Sequence, residues 1–227
     1  MSLTISFMES LLVITNTFGF IAIIAIVVGI VFSKKQQTSE GLIKAIQFAT
    51  WKHRDQKRKS IGDIPYIMHP IRVCQILIEN GCGYNLPLLQ AALLHDTVED
   101  TDTTLDEIHD IFDITVKRLV EEVSDNKSLP KEQRKRLQIL NAEDKSDDAK
   151  LLALADKIAN LEDLSRGPEG IPMGWTVKRI QSYFVWAKRV YDNGLKGQNK
   201  RLDKCFNTII KGEFEYFDGN NYPKIDE

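Results

Sequence analysis

Cysteine is scarce: the 227 residues contain three, Cys74, Cys82 and Cys205. An odd number with no Cys-x-x-Cys pair argues against a disulfide framework and against a structural zinc knuckle. A reducing environment is expected for the folded part. Neither sign of charge dominates, with 30 Lys+Arg against 32 Asp+Glu and a formal net charge of −2. Proteins held to duplexes by overall charge are strongly basic, so nucleic acid is not an expected partner. No strand-type alternation of useful length occurs, and no Asn-Gly hairpin joins two β-rich runs. No internal repeat is present. At 43% hydrophobic and 27% charged residues, the chain has the makings of a core, which argues against disorder as its dominant state.

Long hydrophobic runs are confined to one place. From Phe18 to Phe32 no polar side chain occurs, and reading back to Leu11 adds only Thr15, Asn16 and Thr17. Such a run is long enough to cross a bilayer as a helix, because about 20 apolar residues suffice. Lys34 and Lys35 follow it directly, which predicts that the C-terminal side stays in the cytosol. A cleaved signal peptide would carry its charge before the apolar core. The expected organisation is a hydrophobic, membrane-spanning anchor in residues 1–35 with its membrane contact at 11–32, a catalytic domain on the cytosolic side over 36–211, and an acidic, loosely ordered tail over 212–227. A buried helix of a soluble protein is the competing reading of the first segment.

The middle segment has helical spacing. Leu42, Ile43, Ile46 and Ala49 recur at three- and four-residue steps. Pro70 opens a run that ends at Gly81, the expected asymmetry of helix start and stop. Thr104 to Glu107 reads as a capping box. Further helical runs cover Thr115–Val123, Lys131–Ala142, Asp148–Leu164 and Thr176–Val190. The predicted fold is an all-α bundle of eight to ten helices, preceded by the single hydrophobic helix.

Chemistry concentrates in that segment. His95-Asp96 closes the apolar run Leu88–Leu94, where a charged Asp is costly unless paired or bound to a metal. Glu99 and Asp100 follow within four residues, so one imidazole and three carboxylates crowd together. Like charges so close call for something positive among them, and a divalent metal is the economical answer. His69 before Pro70, and Asp156 within an apolar stretch, can complete such a site; Asn160 shares the face of Asp156. Two imidazoles and two carboxylates without thiolate suit manganese, iron or zinc, with manganese favoured by the carboxylate content. Such a metal would lower the pKa of its water and make hydroxide available at neutral pH.

The order His69, His95-Asp96, Asp156 resembles that of the HD-domain metal phosphohydrolases. The surrounding words are narrower: Lys52–Lys59, Pro65–Pro70, Leu89–Thr101 and Leu154–Lys157 resemble the hydrolase domain of the RelA/SpoT family. Val120–Val123, Lys127–Lys131 and Tyr183–Ala187 are similar to its small metazoan members. The likeness covers about residues 40–205. It implies an all-α fold and manganese-dependent removal of the 3′-diphosphate of guanosine 3′,5′-bis(diphosphate), ppGpp, by a metal-activated water. It also raises removal of the 2′-phosphate of NADPH as an alternative. His69, His95, Asp96 and Asp156 would hold the metal, with zinc or iron as other candidates. Glu99 and Asp100 would be the catalytic acidic pair. Arg58, Lys59, Lys131, Asn160, Arg179 and Tyr183 would contact substrate.

A polyanionic substrate beside an acidic centre needs a cationic rim, and Arg58, Lys59, Lys131, Arg134 and Arg179 can supply it. Features that depart from the family pattern include Glu162 where Arg is usual, Asn126 where an acidic residue is usual, and a longer loop over 167–174. Glu162 and the loop bear on substrate contacts. An alternative of another class is a membrane-tethered nucleotide-binding module without turnover; the intact ligand set and acidic pair favour the enzyme.

Overall fold

The computed structural model describes residues 36–167 and 169–216. The chain divides into two units, residues 1–43 and 44–227. Of the first unit, residues 36–43 are described and are helical. The segment read as a membrane anchor, 11–32, lies outside the described residues. No helix among the described residues is long and apolar enough to cross a membrane. The expected fold is therefore corrected to an all-α domain with no membrane-spanning helix among the described residues. The reason is amphipathicity. Even α8, the longest helix with both ends placed (Asp147–Ser165), carries Asp147, Asp148, Lys150, Asp156, Lys157, Glu162 and Asp163.

Local signals place most helix ends. Helix α1 covers 36–52. Helix α2 (Met68–Leu77) holds Pro70 in its first turn, where the missing N–H has no partner to lose. It passes into a π-helical turn, Ile78–Cys82, in which Gly81 adopts φ +92°. That left-handed backbone suits only glycine without strain. Helix α3 (Leu86–Leu94) is capped by Asn85, whose side chain accepts from Leu88 N–H. It is buried from Leu88 to Leu94. Helix α4 (Thr97–Asp100) is a single turn.

Thr104 caps α5 (Leu105–Ile111) by accepting from Glu107 N–H. The second half of the expected capping box is redirected, because Glu107 Oε2 meets Lys52 Nζ at 3.0 Å. Asp113, Ser146 and Thr176 cap α6 (Ile114–Val123), α8 and α9 (Val177–Val190) in the same way. Helix α7 (Lys131–Leu140) begins after Pro130. A second π-helical turn, Tyr191–Leu195, follows α9, and α10 runs over Lys200–Tyr216. Only an isolated bridge, Lys57 to Pro65, interrupts the helical pattern among the described residues.

Helix α8 is the hub, packed against α2, α3, α6 and α10. Leu152, Leu154, Ala155, Ile158 and Leu161 are fully buried along it. Leu154→Ala is expected to cost about 2–5 kcal/mol through lost transfer free energy and a residual cavity. Urea unfolding measures this; a cost below about 1 kcal/mol would mean that the centre of α8 does not carry the core. Helix α8 also presents Asp156 to the site, while α2 and α3 bring the two histidines to the same place.

Candidate metal centre

Four side chains from three elements converge. One ligand atom each of His69, His95 and Asp156 lie within 4.8 Å of one another. His69 Nε2 is 3.1 Å from Asp156 Oδ1, and His95 Nε2 is 3.1 Å from Asp96 Oδ2. The crossed pairs, His69 with Asp96 and His95 with Asp156, are 3.8 Å apart. Asp96 occupies the N-cap position of α4 yet makes no cap hydrogen bond, which leaves its carboxylate to the cluster. His95 and Asp96 sit at the turn between α3 and α4 rather than within one helix.

The donor set fits a divalent cation. His95 Nδ1 lies 2.8 Å from the Ala92 carbonyl, which requires Nδ1–H and leaves the Nε2 lone pair toward the carboxylates. Nε2 is buried and has no hydrogen-bond partner. Its 3.1 Å approach to Asp96 Oδ2 lacks hydrogen-bond geometry, and a cation between the two atoms would satisfy both lone pairs. Burial alone would lower the His95 pKa, but the charges of Asp96 and Asp156 outweigh it and raise it to about 9. Burial would raise the two carboxyls; His95 and His69 beside Asp96, and Lys157 and His69 beside Asp156, hold both far below the usual range. The cluster demands positive charge, which a dication supplies in place of imidazole protons.

Neighbours fix these ligands. Tyr66 Oη donates to Asp96 Oδ2 at 2.6 Å. Burial and the Asp96 charge push that hydroxyl far above the phenol range, so it remains a donor. Lys157 Nζ donates to Asp156 Oδ2 at 2.9 Å, and Asn160 Nδ2 to Asp156 Oδ1 at 2.7 Å. Tyr66 and Lys157 were not among the candidate site residues. Their sequence signals are proximity, three residues before His69 and one after Asp156, and a place within the words Pro65–Pro70 and Leu154–Lys157.

Glu99 and Asp100 lie one turn beyond Asp96, and Lys127 stands between them. Its Nζ is 3.0 Å from Glu99 Oε2 and 3.0 Å from Asp100 Oδ1. Glu99 Oε1 also accepts from Asp125 N–H at 2.7 Å. Burial pushes the Glu99 carboxyl up despite these two donors. Lys127 was not singled out by the sequence; its partners are 27 and 28 residues away.

Two cavities of about 510 and 470 Å³ lie here. Arg58, Tyr66, Asn160 and Tyr183 line both. The larger contains His69, His95, Asp96 and Asp156, with Glu99 on its wall. The smaller is bounded by Lys59, Asp100, Leu164, Pro172 and Trp175. Arg58 Nη2 reaches Asp163 Oδ2 at 2.6 Å and Asn160 Oδ1 at 3.4 Å.

Lys131 and Arg179 are exposed and line neither cavity. With Lys59 they form a cationic rim: partial burial, Arg179 and Lys59 all lower the Lys131 pKa. Lys135 lies over the Tyr183 and Trp186 rings at 5.4 and 4.7 Å, where burial and the neighbouring cations bring its pKa down to about 8.

Two of the departures from the family pattern separate here. Glu162 lines neither cavity; it takes Arg72 Nε and Nη2 at 2.8 Å each. The 167–174 loop does form cavity wall, through Gly170 and Pro172. Met173 N–H donates to Lys59 O at 2.8 Å. Gly170 lies so close to the Asp163 carbonyl that a Cβ there would overlap it.

The HD domain model matches residues 45–172. Guanosine-3′,5′-bis(diphosphate) 3′-pyrophosphohydrolase MESH1 of Homo sapiens is 51% identical over 170 residues, spanning 75% of this chain and 93% of that protein. The protein of that name from Drosophila melanogaster is 46% identical over 173 residues, spanning 76% and 94%. A solved structure, described as a metazoan orthologue of SpoT that hydrolyses ppGpp and plays a role in starvation responses, matches with TM-score 0.73 and 45% identity. The match covers 76% of this chain and 95% of that one.

Proposed function

The chain belongs to the HD-domain family, among the MESH1-type 3′-pyrophosphohydrolases, and from that premise we propose that it hydrolyses ppGpp to GDP and diphosphate. The reaction adds the oxygen of water to the phosphorus on ribose O3′ and breaks the O3′–P bond. GDP leaves with a 3′-hydroxyl, and the two phosphates leave together. The observation that carries this reading is the coincidence of three features: a two-His, two-Asp cluster, an acidic pair one turn later, and two cavities that meet there.

An HD-domain hydrolase of this type employs a divalent metal, and the cluster can hold one. In our reading the ligands are His69, His95, Asp96 and Asp156 and the ion is manganese, favoured by two carboxylates and no thiolate. When bound, the cation activates water and draws charge from the phosphoryl oxygens. Glu99 and Asp100 position that water, and Glu99 accepts its proton. Lys127 holds their carboxylates apart. Tyr66 and Lys157 each occupy one oxygen of a ligand carboxylate, fixing its orientation. Arg58 and Asn160 stand where the cavities join, suited to the ribose, and Tyr183 and Trp175 wall the smaller cavity, suited to a base. Lys59, Lys131 and Arg179 attract the 5′-diphosphate. Residues 36–211 form the catalytic domain in this reading.

The test is incubation of the full chain, loaded with manganese, with ppGpp, following GDP and diphosphate by chromatography, and NADPH in parallel following phosphate. Diphosphate release supports the reading. Its absence, with phosphate released from NADPH, would overturn it. Because Glu162 faces Arg72 and no cavity, Glu162→Gln is expected to leave kcat/KM within about twofold while costing about 1 kcal/mol of stability. A tenfold loss of kcat/KM would place Glu162 in the substrate's path.

A further inference from the structure

The proposed metal ligands account for one end of the larger cavity. The same cavity is also lined by residues of α6 and α7 and the segments that follow them: Glu121, Glu122, Asp125, Arg134, Gln138, Asn141 and Lys145; we take this part as its second arm. Arg134 was expected in the cationic rim, and the proposed reaction gives Gln138, Asn141 and Lys145 no role. Arg134 and Lys145 are cations with spare donors. Arg134 Nε is buried and makes no hydrogen bond. Its Nη1 reaches Asp125 Oδ2 only at 3.4 Å, and Gln138 Nε2 already contacts both oxygens of that carboxylate at 2.9 and 2.8 Å. Lys145 Nζ donates to the Glu122 backbone oxygen, and among the described residues no carboxylate lies within ion-pair distance of it. Burial, then Lys157, lowers the Lys145 pKa. Glu122 and Asp125 offset part of the Lys145 charge, and Asp125 pairs with Arg134 only at 3.4 Å, so donors of both cations remain for an anion between them.

The substrate supplies such an anion in a defined direction. The ribose and base extend toward the smaller cavity, because Arg58, Tyr66, Asn160 and Tyr183 join the two. The phosphorus under attack lies at the His/Asp cluster. The outer phosphate of the 3′-diphosphate must then lie on the side away from the ribose, in the arm that holds Arg134 and Lys145. Helix α7 carries Lys131, Arg134 and Gln138 at three- and four-residue steps, so one stripe runs from the rim into the arm.

We propose that Arg134 and Lys145 bind the outer phosphate of the leaving diphosphate, and that this arm makes the enzyme select a 3′-diphosphate over a single phosphate ester. The inference rests on the ppGpp reading for the identity of the anion, but the arm itself can be tested without turnover. A purely structural role for Arg134 would be to brace Asp125, whose N–H holds Glu99; its loss would harm every substrate alike.

The experiment uses the full chain with manganese and compares wild type with Arg134→Gln, Lys145→Gln and Lys145→Arg. Calorimetry measures binding of inorganic pyrophosphate and of orthophosphate. Wild type is expected to prefer pyrophosphate, and each Gln variant to weaken pyrophosphate about tenfold, with orthophosphate changed less than about threefold. Lys145→Arg, which keeps the charge, is expected to retain the preference. Kinetics then compares ppGpp with guanosine 5′-diphosphate 3′-monophosphate, which lacks only the outer phosphate. The Gln variants should lose about 10- to 100-fold in kcat/KM on ppGpp, and less than about threefold on the monophosphate. Equal losses for both anions, or no pyrophosphate preference in wild type, would overturn the proposal. If wild type leaves ppGpp intact while the pyrophosphate preference is present and lost in the variants, the arm stands and the ppGpp reading fails.

Discussion

Asp96→Asn is expected to lower kcat on ppGpp by at least about 10³-fold, because in the proposed reading it removes one negative ligand from a centre whose metal is worth several kcal/mol to the transition state. Asp96 Oδ2 lies 3.1 Å from His95 Nε2 and 3.8 Å from His69 Nε2, with the Tyr66 hydroxyl at 2.6 Å. An amide keeps the shape but not the charge. It also brings an NH2 group toward either an imidazole lone pair or the Tyr66 hydroxyl. Metal content should fall with activity, as measured by elemental analysis and by the manganese resonance signal after dialysis. Full metal occupancy with lost activity would move Asp96 from ligand to another task. Retained activity would remove it from the site.

The second large effect is Glu99→Gln, expected to reduce kcat by about 10²- to 10⁴-fold while metal content and KM stay near wild type. Glu99 is separated from the ligand cluster by a helical turn, so its loss should leave the ion in place. Its environment suits a base. Burial raises its pKa, while Asp125 N–H and Lys127 keep the carboxylate accessible as the ionised form. The direction of the pH dependence follows. Glu99 accepts a proton only when ionised, so the rate rises with pH through its pKa. Lys127→Met removes a cation that favours the ionised form, which raises that pKa and moves the acid limb of kcat/KM to higher pH. An unmoved acid limb would show that Glu99 does not set it. Loss of metal in Glu99→Gln would instead make Glu99 part of the metal's support.

Helix starts were largely readable from local residues. Asn85, Thr104, Asp113, Ser146 and Thr176 cap through contacts two or three residues away, so the sequence neighbours decide them. The Thr104 box shows the limit of that logic: its backbone half forms, but Lys52, on another helix, takes the Glu107 side chain. The hydrophobic run at 11–32 was legible as composition alone and lies outside the described residues, among which no helix is long and apolar enough to cross a membrane.

For the site, the residue types and their order were visible because each is anomalous where it stands: His95-Asp96 at the end of an apolar run, Asp156 within another. Tertiary structure decided everything that depends on how helices cross. It turned Glu162 onto Arg72, away from both cavities, although it sits six residues from Asp156 on the same helix. It placed Lys127 between Glu99 and Asp100 and Tyr66 on Asp96. It left Lys131 at the rim and carried Arg134, one turn on, into the arm beyond the metal centre. The amino-acid sequence by itself determined the helical class, the caps and the set of chemically unusual residues, because these follow from spacing and from the cost of burying charge. Which of the charges far apart in sequence meet was decided only by the packing of α2, α3, α7 and α8, since such side chains meet only where those helices fix their distance and direction.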